Sequence, residues 1–112
     1  MRFMLMTKGD ESTAGGPPDE KLMAEMGKFI EEMAKAGVLL ATGGLDPVGS
    51  RIKSSGGKIT VTDGPFAETK EVILGFDLLE CADLDEAIAV ARAHPMARSG
   101  RLELRPLVDL EP

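Results

Sequence analysis

Residues 72–86 read Val72-Ile73-Leu74-Gly75-Phe76-Asp77-Leu78-Leu79-Glu80-Cys81-Ala82-Asp83-Leu84-Asp85-Glu86, and this stretch decides the fold. Its first ten residues predict the strongest strand of the chain, with Leu74, Phe76 and Leu78 on one side and Ile73 and Leu79 on the other. A strand apolar on both sides needs cover on both. Asp83 with Glu86 three residues on is a capping-box arrangement that turns the chain into a helix. Leu84, Ala87, Ile88 and Ala91 supply that helix's buried face, and Pro95 ends it.

Working outward, residues 2–7 form a short strand with Met4 and Met6 on one face and Phe3 and Leu5 on the other. Residues 19–36 repeat apolar side chains at Leu22, Met26, Phe29 and Met33, with Met23 and Ile30 widening the stripe, which predicts an amphipathic helix stopped at Gly37. A strand from Val38 to Ala41 runs into Gly43-Gly44-Leu45-Asp46-Pro47, where Pro47 forbids further pairing in a sheet interior. Residues 51–53 and 58–62 flank Ser54-Ser55-Gly56-Gly57 as a hairpin, with Ile59 and Val61 facing one way and Thr60 and Thr62 the other. The last strand runs from Leu102 to Leu107.

The order β-α-β, hairpin, β-α-β predicts a single α+β domain over residues 1–112, a ferredoxin-like antiparallel sheet with both helices on one face and a hairpin insertion. The second sheet face is then too apolar to meet water, and a second subunit packed sheet to sheet covers it.

Between hairpin and central strand lies Asp63-Gly64-Pro65-Phe66-Ala67-Glu68-Thr69-Lys70-Glu71. As plain structure it is a turn dipeptide, a proline that fixes φ, and a phenylalanine that plugs the core. As a site, Asp63 and Glu68 are carboxylates beside a rigid turn, Gly64 lets a ligand approach the backbone, Phe66 faces that ligand, and Lys70 pairs with an anionic substrate. The run, with the order of elements around it, resembles the YCII-related superfamily, in the branch named after its Asp-Gly-Pro-Phe motif. The resemblance implies a dimeric α+β barrel with a small-molecule site and no settled reaction. It also implies a His–Asp acid-base dyad, with histidine on the first helix and aspartate near the end of the second. This chain departs from that pattern: Met26 stands about where the histidine aligns, and His94 stands near the aspartate's place. A general base is then His94, Asp63, Asp77 or Glu68.

His94 is the only histidine and the only side chain whose ordinary pKa lies near neutrality. Its structural alternative is to sit in the last turn of a helix, bonding the final carbonyls. Asp77 interrupts an apolar strand, so it is at an edge, paired, or lining a wet pocket. Gly43-Gly44 is a bulge or strand end, or exposes backbone N–H groups to a ligand, which makes Gly44 a binding candidate. Asp46 reads as an ordinary turn residue.

Composition narrows the function. The chain has 112 residues, net charge −6, four Phe and no Trp or Tyr, so it lacks both the basic track and the stacking platforms of nucleic-acid binders. No segment has the roughly twenty apolar residues that span a bilayer, and the N-terminal apolar run is too short for a signal peptide. One cysteine, Cys81, suits a reducing compartment, and a cytoplasmic location is expected. One His and one Cys cannot build a four-ligand N/S zinc site, no phosphate-cradling glycine loop occurs, and no serine elbow is present, so neither metal nor cofactor is expected. Three functions compete: a cofactor-free enzyme that moves protons on a small organic substrate; a metabolite-binding or regulatory module; and a cofactor-independent oxygenase. The resemblance adds a sigma factor as a partner for the second, since relatives of this branch are often encoded with one.

Overall fold

The computed structural model describes residues 1–10, 20–46, 48–64, 71–98 and 100–108. In chain order the elements are β1 (Arg2–Asp10), α1 (Glu20–Lys35), β2 (Leu39–Gly44), β3 (Ser50–Ser55), β4 (Lys58–Asp63), β5 (Glu71–Glu80), α2 (Leu84–Ala93), a 3-10 turn (Pro95–Ala97) and β6 (Arg101–Pro106). Four strands make one antiparallel sheet in the order β2-β5-β1-β6, and β3 and β4 pair only with each other. This is the ferredoxin-like α+β arrangement, with the hairpin inserted between β2 and β5.

The two most apolar strands, β5 and β1, occupy the interior of the sheet. Their register sets Phe3 against Leu79, Leu5 against Asp77 and Thr7 against Gly75. Cross-strand partners share a face, so these residues line the side that the helices cover. There Phe3, Leu5, Leu79, Phe29, Ala87 and Val90 build the core. The opposite face presents Met4 against Leu78 and Met6 against Phe76, all only half-buried.

Local signals account for the boundaries. The Asp83 carboxylate accepts a hydrogen bond from the Glu86 amide at 2.9 Å and caps α2, satisfying a donor that the first helical turn leaves open. Gly37 closes α1 at φ +75°, the left-handed conformation that a side chain disfavours. The β3–β4 turn is Gly56-Gly57, both at positive φ, with Ser55 paired to Lys58. Ser54 and Ser55 thus belong to the strand, and the loop is a two-residue one.

Several expected details differ. On α1, Met23 is 57% exposed and lies off the apolar stripe. On α2, Leu84 is 50% exposed while Val90, unassigned in the sequence pattern, is buried: the face turned to the sheet is centred on Ala87, Val90 and Ala91. The register of β5 shifts between Thr7 and Lys8, so Ile73 pairs with Lys8 and Leu74 is skipped. This bulge takes Ile73 out of the alternation that ends at Leu79. Pro47 lies outside the described residues, and β2 ends at Gly44.

Candidate functional site

Four elements meet at His94. Its backbone leaves α2 in an extended conformation at φ −64° and ψ 131°, which turns the imidazole back under the helix layer. Nδ1 accepts a hydrogen bond from the Met96 amide at 3.0 Å, so the side chain caps the 3-10 turn. That bond places the ring proton on Nε2, which faces Asp77 Oδ2 at 3.2 Å. The other carboxylate oxygen, Oδ1, accepts from the Thr42 hydroxyl at 2.6 Å. Phe29 of α1 covers the imidazole edge-on at 5.0 Å between ring centroids. Arg98, just past the 3-10 turn, forms an ion pair with Glu25 of α1. Thr42 of β2, Asp77 of β5 and His94 therefore form one run of polar contacts, a hydrogen bond from Thr42 and a close pair with His94, with α1 as its roof.

The Asp77 and His94 side chains are 4% and 1% exposed. Burying a carboxylate is costly unless the charge is paired and hydrogen-bonded, and both Asp77 oxygens are engaged. Asp77 is thus explained by pairing, not by pocket lining. The expectation that His94 bonds the last helix carbonyls is also corrected: the ring accepts from the turn that follows, and its Nε2 faces a carboxylate of the sheet.

Beside the pair lies an open cleft of about 230 Å³ between α2, the 3-10 turn and β6. Leu5, Ile88, Ala91, Leu102 and Leu104 give it apolar walls, and Arg92 is its charged lining residue. Leu5 is the cross-strand partner of Asp77, and Ala91 and Ala97 bracket His94. The pair and the cleft are therefore flanked by some of the same residues, and neither His94 nor Asp77 lines the cleft.

The other candidates fall elsewhere. Asp63 ends β4, is exposed and accepts a hydrogen bond from the Ser50 hydroxyl at 2.7 Å. It takes no part in the pair. The Gly64 amide bonds the Gly49 carbonyl at 2.7 Å and closes the base of the hairpin. Gly44 pairs with Gly75, and a Cβ added to it would meet open space. The neighbouring Gly43 is the constrained one, since a Cβ there would lie 2.8 Å from the Phe76 ring. Phe66, Glu68 and Lys70 lie outside the described residues. Among the described residues no group of three His, Cys, Asp or Glu is arranged to hold a metal ion, and no helix is long and apolar enough to cross a membrane.

Thr42 and Phe29 were not singled out from sequence for this site. Thr42 follows an apolar strand and precedes two glycines, which marks a polar residue at a strand end but not its partner. Phe29 was visible as core, and its contact with His94 depends on how α1 crosses the sheet.

The fold and the buried pair define a ferredoxin-like α+β domain with an internal His/Asp pair. The chain belongs to the YCII-related family, whose domain model matches residues 1–111. An uncharacterised protein of Rhizobium meliloti (strain 1021) is 35% identical over 119 residues, covering 100% of this chain and 96% of the relative. Among solved structures, the 5-chloro-2-hydroxyhydroquinone dehydrochlorinase TftG from Burkholderia phenoliruptrix AC1100, in complex with 2,5-dihydroxybenzoquinone, is 12% identical with a TM-score of 0.45, over 96% of this chain and 94% of that one.

Proposed function

We propose that this YCII-related protein is a cytoplasmic homodimer that binds a small organic molecule in the cleft beside His94 and moves a proton on it, without a cofactor. The observation that carries the reading is the buried Asp77/His94 pair behind that cleft. A carboxylate held against Nε2–H fixes the imidazole tautomer and stabilises the imidazolium formed when the ring takes up a proton. The basic atom is then Nδ1, presently engaged by the Met96 amide. That donor belongs to a three-residue 3-10 turn, a type of element whose hydrogen-bond geometry is poorer than that of an α-helix. Ala97 of the same turn lines the cleft, so a ligand that displaces the turn would release Nδ1 from the Met96 amide. The walls favour an apolar ligand body, and the cleft is smaller than the roughly 300–1,000 Å³ common for drug-sized ligands.

The homodimer reading comes from the half-buried face formed by Met4, Met6, Phe76 and Leu78, a contiguous apolar patch on the side without helices.

A second reading is a non-catalytic metabolite-binding or regulatory module that acts with a protein partner such as a sigma factor. Its support is that both ring nitrogens of His94 and both oxygens of Asp77 already have partners inside the fold, which suits a structural lock.

The test is deuterium uptake from D₂O by a panel of enolisable carbonyl compounds, followed by NMR for the native protein and for His94→Gln. Exchange accelerated by the native protein and lost in the variant supports proton transfer. Binding of panel members without exchange favours the second reading.

A further inference from the structure

The cleft beside the pair is apolar except at one point. Ile88 and Ala91 of α2 and Leu102 and Leu104 of β6 wall it, and Arg92, in the last turn of α2, is the charged residue among the described lining. Residues three and four apart on a helix are neighbours, so Ile88, Ala91 and Arg92 share one face of α2 and the cation stands on the same side as the apolar wall. Arg92 makes no ion pair or hydrogen bond among the described residues. The other cations nearby are engaged or turned away. Arg98 pairs with Glu25, and Lys8 and Arg105 both pair with Glu103. Arg101 is set opposite Lys8, on the sheet face away from Leu102 and Leu104. A cation in the last turn of a helix is favourable through the dipole alone, but that contribution needs no apolar cleft beside it.

We propose that the cleft takes a small organic monoanion, a carboxylate on an apolar body, with the body against Ile88, Leu102 and Leu104 and the carboxylate on the Arg92 guanidinium. The proposal rests on the cleft reading above and names the chemical class of its ligand. A guanidinium presents a planar fork of donors that matches the two oxygens of a carboxylate. The apolar walls lower the local dielectric and strengthen that pair beyond its worth on an open surface. Charge favours one negative unit over two. A single unpaired cation lines the cleft, the chain as a whole carries −6, and the cleft lies by the C-terminal end of α2, whose carbonyls repel anions. A phosphate dianion would meet that repulsion with one partner, whereas phosphate sites are built at helix N-termini. Arg92 is exposed, so the carboxylate stays at the mouth of the cleft, in contact with water, and the apolar body is the part that enters.

Three probes test it: 4-methylpentanoate, its primary amide as a neutral isostere, and 3-methylbutyl phosphate. Each is titrated into ¹⁵N-labelled native protein, Arg92→Gln and Arg92→Lys, and followed by backbone amide shifts. Arg92 lies outside the core, and both replacements are good helix formers, so the fold is retained in each variant. The carboxylate should shift Ile88, Arg92 and Leu102 and bind the native protein about fivefold more tightly than the amide, the upper end for a solvent-exposed ion pair. Added salt should narrow that difference, Arg92→Gln should abolish it, and Arg92→Lys should keep part of it. Equal binding of carboxylate and amide, with the same resonances shifted, overturns the anion assignment and leaves the cleft standing as a neutral site. A preference for the carboxylate that persists in Arg92→Gln overturns the role of Arg92, and tighter binding of the phosphate overturns the single-charge argument. If no probe shifts the cleft resonances at millimolar concentration, the proposal falls together with the cleft as a ligand site. None of these readings depends on proton transfer, which the deuterium-uptake experiment judges separately.

Discussion

His94 Nε2 lies 3.2 Å from Asp77 Oδ2, with both side chains nearly excluded from solvent. This single contact ties the corner after α2 to an interior strand of the sheet. The two truncations of the pair should therefore differ in cost. His94→Ala leaves a buried carboxylate with only the Thr42 hydroxyl and should destabilise by about 3–5 kcal/mol, the cost of stranding a buried charge. Asp77→Asn leaves no buried charge and should cost about 1–3 kcal/mol, the penalty of a poorly matched buried donor. Urea unfolding decides it, and equal losses in the two variants would show that the charge on Asp77 does not govern the pair.

The pair also shows where sequence reading reached its limit. Asp77 and His94 stood out because each contradicts apolar surroundings, and the order of elements gave the ferredoxin-like sheet. Their contact depends on two things a linear pattern does not encode. One is the extended backbone at His94, which sends the ring toward β5 instead of along α2. The other is the register that puts Thr42 opposite Asp77. The same limit explains Ile73 and Leu84: alternation and helical spacing predict faces for regular elements, whereas a bulge or a small rotation of α2 reassigns them. Asp63 suggests a site residue because it opens a distinctive motif, and its carboxylate instead serves the base of the β3–β4 hairpin.

Gly37 should resist replacement for a purely conformational reason. It has φ +75°, and a Cβ there would touch nothing within 4 Å, so no clash contributes. Gly37→Ala should cost about 1–2 kcal/mol, the steric penalty of the left-handed region for an L-residue. A loss near zero in thermal unfolding would mean that the helix end rearranges at no cost.

Glu103 should make stability fall in acid. Its carboxyl is held below the ordinary value of 4.5, first by the hydrogen bond from Lys8 and then by that from Arg105. A carboxyl whose folded pKa is lowered contributes stability that is fully present above the unfolded value and is lost as pH falls through the folded one. Glu103→Gln should therefore flatten the decline in stability below about pH 4.5. Parallel acid limbs for native and variant proteins, measured by urea unfolding from pH 7 to pH 3, would place the acid sensitivity elsewhere.

Cys81 should be slow to alkylate. It is 2% exposed, and its thiol is pushed above 9.0, first by burial and then by the negative charge of Glu86. Thiolate is the reactive form, so iodoacetamide at pH 8 should modify the folded protein at least tenfold more slowly than the urea-unfolded chain. Since the folded pKa is raised, the associated stability is present below the unfolded value and lost only as pH climbs through the folded one. Rapid modification of the folded protein would show that the strand end opens readily.

The tautomer of His94 carries the most weight for function. Nδ1 accepts from the Met96 amide and Nε2 faces Asp77, so the neutral ring should hold its proton on Nε2. Long-range ¹H–¹⁵N correlation spectra distinguish the two nitrogens directly. The expected pattern for the neutral ring is a protonated Nε2 and an unprotonated Nδ1, unchanged in Thr42→Val, which removes only the far hydroxyl from Asp77. A proton found on Nδ1 would break the bond to Met96, leave Nδ1 unable to act as the base and end the proton-transfer reading. With the expected tautomer in place, a compound that enters the cleft should move the Met96 amide resonance together with Nδ1, since both belong to the one hydrogen bond that must open for the ring to act. A compound that shifts Ile88 and Leu102 while Met96 and His94 stay fixed occupies the cleft without reaching the base, which is the behaviour of a binding module.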